Sequence, residues 1–166
     1  MDTLLTWVVC AVGLCGAELA YWLPLKKRRN FTMRTALNFI AAVLFAQVII
    51  WANSGHAKPA MLLVIYGGYF IWAAVSTHLC TLLDWSASAY CSIWIVLTTE
   101  SAYELWRVLI WTAQTLGMRH LSLHSTPMLL GQLGFTIACC VTVRYTMART
   151  MPEDGIYHIG PRQLGS

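Results

Sequence analysis

The sequence predicts an all-α fold: a polytopic integral membrane bundle of about five transmembrane helices, with its N-terminus outside and its C-terminus in the cytoplasm. Three observations predict it. Of 166 residues, 58% are hydrophobic and only 11% charged, too little charge to cover a water-soluble domain of this size. The apolar residues come in blocks of about 20, the length that crosses the hydrocarbon of a bilayer, separated by short polar stretches. Lysine and arginine are distributed unevenly among the connections, as the positive-inside rule requires.

The bundle is expected to occupy residues 1–148, followed by a short cytoplasmic tail, 149–166. The first span, about 4–25, is closed by Pro24 and the basic run Lys26-Lys27-Arg28-Arg29. Asp2 and the absence of a basic n-region make it a retained helix rather than a cleaved signal peptide. The second span, about 35–52, ends at "NSGHAKP"; the third, about 60–83, stops at Asp84. The fourth, 86–112, keeps a helical pattern to about Leu116, and the fifth covers about 128–147. Trp7, Trp22, Trp51, Trp85 and Trp106 fall near the ends of these spans, as an interfacial aromatic belt would. The tail carries turn signals at "PEDG" and "GP".

Lys26, Lys27, Arg28, Arg29 and Arg34, with Arg144, Arg149 and Arg162, put eight basic residues on one side, against Lys58, Arg107 and Arg119 on the other. The "KKRR" side is therefore assigned to the cytoplasm. The net charge of +4 follows from this topology signal and needs no nucleic acid. The six cysteines form no C-x-x-C pair and read as small apolar packing residues. No cofactor is expected. His120 and His124 have the i,i+4 spacing of a metal pair but no third ligand beside them.

The chemistry-bearing stretch is "LTTESAYELWRVLIW", 97–111. At about 100° per residue, Glu100, Glu104, Arg107, Trp111 and Gln114 fall within roughly 80° of one another. A helix entering near Ser86 from the cytoplasm reaches the outer interface near Trp106, with Glu104 just beneath Arg107 and Glu100 roughly 6 Å deeper. Glu104 and Arg107 can neutralise each other at i,i+3. Two readings stay open: an interfacial ion pair with Glu100 bonded to a neighbouring helix, or an outward-facing polar pocket in which Glu100, Glu104, Arg107 and Gln114 bind a ligand. Glu18, in the inner half of the first span, is expected to reach toward the basic loop. His78 is expected to cap or to bond across helices. No constellation looks catalytic.

Two stretches carry a family resemblance. "GAELAYWLPLKKRRNFTMRTAL" has an acidic residue in the first helix, a basic loop, and an aromatic-x-x-Arg opening of the second helix. "HLCTLLDWSASAYCSIWIVLTTESAYEL" has a short acidic turn followed by a long helix with polar residues in its second half. Both resemble the transmembrane sensor region of GHKL-type bacterial sensor histidine kinases, and "MPEDGIYHIGPRQL" resembles the cytoplasmic loop before that family's next helix. Glu100 and Ser101 stand where the family has a Gln-His pair. The resemblance implies a bacterial signal-sensing membrane module, without phospho-accepting or nucleotide-binding segments in this chain, and hence not itself an enzyme. Its expected partners are the lipid bilayer, a second copy or a signalling protein, and an extracellular small-molecule or peptide ligand. The alternative functions are a small membrane transporter or a membrane subunit of a larger complex.

Overall fold

The computed structural model describes residues 2–51, 58–117 and 125–148. These form five helices: α1 (Asp2–Trp22), α2 (Phe31–Trp51), α3 (Pro59–Cys80), α4 (Trp85–Thr115) and α5 (Thr126–Thr146). Among the described residues there is no β-strand, only one isolated antiparallel bridge between Lys27 and Thr81. His120, His124 and the tail turns lie outside the described residues, so their expected roles stay with the sequence.

Local chemistry sets the helix ends. Pro59 opens α3 and Pro127 lies in the first turn of α5, where the missing N–H is no loss. Asp84 caps α4 by accepting from the Ala87 N–H at 2.8 Å. Asn30, just before α2, has φ 62°, a left-handed conformation that asparagine tolerates better than most residues. Two spans end earlier than the sequence predicts: α1 stops at Trp22 and α3 at Cys80. The cause is backbone pairing between the segments that follow them. Arg28 N–H donates to Cys80 O at 3.1 Å and Leu82 N–H to Lys26 O at 2.9 Å. Hydrogen bonds that would extend either helix are replaced by this clamp between the two connections, which places them at the same end of the bundle.

α1 is the central helix. Half of its apolar window is buried inside the bundle, against 17% for α2 and for α5. Leu14, Cys15, Ala17, Tyr21, Tyr69, Cys91 and Ile95 lie in the core it organises. Its seam with α5 is built on small residues. A Cβ placed on Gly13 would meet Thr136 Cγ2 at 3.6 Å, and one on Gly16 would meet Cys140 Sγ at 3.3 Å. The pairings advance together along both chains, so α1 and α5 run parallel at the close approach that small residues permit.

α1, α2, α3 and α5 are each long and apolar enough to cross a membrane. The exposed side chains of α2, including Leu37, Ile40, Leu44 and Val48, form an apolar surface that suits lipid rather than water. The chain is a multi-pass membrane protein with an all-α bundle. α4 is absent from the four because serines, threonines and three charges dilute it, yet the topology carries it across. α3 ends at the clamped end, α5 begins at the opposite one because it parallels α1, and α4 joins them. At 31 residues it is about 46 Å long, longer than the roughly 30 Å hydrocarbon core.

Candidate functional site

The four predicted ligand-binding residues differ in exposure along α4. Glu104 and Arg107 face outward and bond to each other, Nη1 to Oε1 at 2.9 Å, with both side chains more than half exposed. The Arg107 guanidinium also lies 5.8 Å from the centre of the Tyr103 ring. Gln114, two turns further on, is half-buried. Glu100 is half-buried as well, within electrostatic reach of Glu104, of Cys10 on α1 and of Tyr69 on α3. The residues of α4 that enter the core are small or polar along most of the line: Ala87, Ser88, Cys91, Ser92, Ile95, Ala102 and Ile110. Leu105 and Leu109 are exposed, so α4 also presents apolar side chains to lipid.

Among the described residues, a fully buried carboxyl group lies elsewhere. Glu18 is fully enclosed between α1, α2 and α3. Ser76 Oγ donates to its Oε1 at 2.7 Å, and Asn38 Nδ2 donates to its Oε2. This corrects the expectation that Glu18 reaches toward the basic loop. Arg28 and Arg34 are already engaged. Arg28 Nε donates to Thr81 O at 2.7 Å, at the cap just past α3, and Arg34 Nη1 to Leu79 O at 2.6 Å, in its last turn, where cations are favoured. A carboxyl group buried among apolar helices is tolerable when its oxygens find donors, and Asn38 and Ser76 supply one each.

Polar contacts continue from this triad. Trp22 Nε1 donates to Thr77 Oγ1 at 2.9 Å. Trp22 is completely buried, so it is a bundle residue and not part of the expected interfacial belt. Tyr21 OH bonds Thr98 Oγ1 at 3.2 Å, and Tyr69 OH bonds Thr99 Oγ1 at 3.0 Å. Tyr69 lies within electrostatic reach of both Glu18 and Glu100. Two tyrosines, one from α1 and one from α3, thus grip adjacent threonines of α4 one residue before Glu100. At the clamped end, His78 stacks on Trp85 with ring centres 4.1 Å apart, contacts Arg28 Nη2 at 3.4 Å, and bonds Leu83 O through Nδ1 at 2.9 Å.

The sequence reasoning missed the Glu18 triad, although a signal for it was present. Asn38 and Ser76 are polar residues inside apolar helices, and antiparallel neighbours bring both to the depth of Glu18. Helices α3 and α5 run unbroken through Gly67-Gly68 and through Gly131 and Gly134. Among the described residues, no three His, Cys, Asp or Glu side chains gather into a metal-binding group. Comparison with protein-family models, with curated proteins and with solved structures finds no match to this chain.

Proposed function

We propose that this chain is a membrane-embedded signal-sensing module, with its basic-loop end in the cytoplasm and the far half of α4 as its input surface. The observation that carries this reading is the continuity of α4. One unbroken helix bears Glu100, Glu104, Arg107 and Gln114 toward one end and abuts the connection clamp and the His78–Trp85 stack at the other. A ligand that favours one position of the outer half of α4 therefore biases the inner end as well, and the Tyr21–Thr98 and Tyr69–Thr99 bonds pass the same bias to α1 and α3. This is the element through which differential binding becomes a conformational change. The sensor-region resemblance points to the same class of function, and to a bacterial cytoplasmic membrane as its location.

Ligand-induced thermal stabilisation of the purified protein in detergent tests the reading, using pools of cationic peptides and small cations. A ligand at 100 times its Kd stabilises by about 2.7 kcal/mol. The expected result is a shift that Glu100→Gln abolishes while the unliganded melting temperature is kept. A shift that survives Glu100→Gln would remove Glu100 from the site.

The outward-facing Glu104–Arg107 pair favours a second reading, in which the chain is a membrane subunit of a larger complex and this pair meets a partner helix. Co-purification of a stoichiometric partner that is lost in a charge-reversed Glu104→Arg variant would support it. The transporter reading is weaker, because the discontinuous helices of such sites are not found among the described residues.

A further inference from the structure

Between α2 and α3 lies an apolar groove of about 340 Å³, lined by Ala41, Leu44, Phe45, Val48 and Trp72. We propose that this groove and the basic end below it form one binding site for an anionic phospholipid, with an acyl chain against Phe45 and Trp72 and the phosphate at the start of α2.

The placement follows from helix geometry. Arg34, Ala41, Phe45 and Val48 are separated by seven, four and three residues, so they share one stripe of α2. Arg34 therefore sits in line with the groove, about 10 Å below Ala41 and about 21 Å below Val48, a span that a long acyl chain covers. The Arg34 guanidinium uses one N–H on Leu79 O of α3, which fixes it at the α2–α3 seam and leaves further donors of its planar fork for phosphate oxygens. Lys27 Nζ is held 5.4 Å from the centre of the Phe31 ring, at the first residue of α2. The first turn of α2 contains no acidic residue, and its unpaired N–H groups give that end of the helix an affinity for anions. Among the described residues, the acidic groups of this half of the bundle are already engaged: Asp84 caps α4, and Glu18 is enclosed with Asn38 and Ser76. An apolar groove in line with two cations and a helix N-terminus, about 10 Å beyond its lower edge, matches an acyl chain joined to a phosphate.

The probe is the full chain reconstituted into phosphatidylcholine vesicles with a small fraction of lipid carrying brominated acyl chains, which quench tryptophan on contact. Subtracting the signal of Trp72→Phe isolates Trp72. Brominated phosphatidylglycerol is expected to quench Trp72 more effectively than brominated phosphatidylcholine, by about five-fold for each basic side chain near the phosphate. Arg34→Gln is expected to remove that factor. Arg144→Gln makes the same charge change at the end of α5 and should leave the preference intact. If Arg34→Gln fails to insert, Lys27→Gln carries the comparison. Equal quenching by the two lipids would overturn the proposal in favour of ordinary surrounding lipid. An equal loss in Arg144→Gln would overturn it in favour of diffuse surface attraction. No Trp72-dependent quenching would mean that protein, not lipid, fills the groove.

Discussion

Replacing Asn38 by leucine removes the donor to Glu18 Oε2 and leaves a fully enclosed carboxyl oxygen without a partner. An unsatisfied buried polar group costs about 1–3 kcal/mol in soluble proteins. Interhelical hydrogen bonds in membranes average about 0.6 and reach about 1.7 kcal/mol, so a cost of about 1–2 kcal/mol is expected. Glu18→Leu should cost a similar amount by orphaning Asn38. Ser76 suffers less from the change, because its hydroxyl also reaches Ala73 O at 3.1 Å. The informative variant is the double, Glu18→Leu with Asn38→Leu. It removes donor and acceptor together and leaves apolar side chains of comparable length, so its cost should fall well below the sum of the singles, with a coupling of about 1 kcal/mol. SDS-driven unfolding in mixed micelles, followed by circular dichroism, measures all three. Costs that add to within about 0.3 kcal/mol would refute the reasoning, because independent sites behave that way. Glu18 would then be held by packing rather than by its hydrogen bonds.

Other perturbations separate structural from functional residues. Gly131→Ala would place its Cβ 2.7 Å from Trp106 Cη2, and a rigid indole cannot fold away, so a loss of about 1–3 kcal/mol is expected; Trp106→Leu should relieve it, as read by thermal melting. Glu104→Gln should change stability by less than about 1 kcal/mol, because the pair it breaks with Arg107 is exposed; a larger shift in melting temperature would mean that the pair is buried against a partner. Arg28→Ala should loosen the connection clamp, detected as faster hydrogen exchange at Leu82 and Arg28's neighbours with little change in the core of α1.

The helices were legible because lipid imposes a strong demand on composition, and blocks of apolar residues of the right length leave few alternatives. Their inner ends were less so. The early stops at Trp22 and Cys80 depend on backbone pairing between two connections that lie far apart in sequence, and Pro24 and Asp84 alone gave no hint of it. The i,i+3 relation of Glu104 and Arg107 was readable, since it is a property of one helix. The exposure of each side chain was not, because Glu100 is half-buried only by virtue of where the other helices pack. Glu18 was misassigned for a related reason. Charge attraction to "KKRR" is visible in one dimension, whereas the carbonyls at the end of α3 that engage Arg28 and Arg34 are visible only in three.

The parallel seam of α1 with α5 has a consequence for biogenesis. Of these five helices the central one is synthesised first, and one of its walls is synthesised fifth. While α2, α3 and α4 are being inserted, the small-residue face around Gly13 and Gly16 has no protein against it and must be covered by lipid or by the insertion machinery. Assembly of these five helices therefore closes with α5 bringing Thr136 and Cys140 into a slot that the earlier four leave open. Until α5 (Thr126–Thr146) leaves the ribosome, the membrane holds a form of the bundle with that slot unfilled.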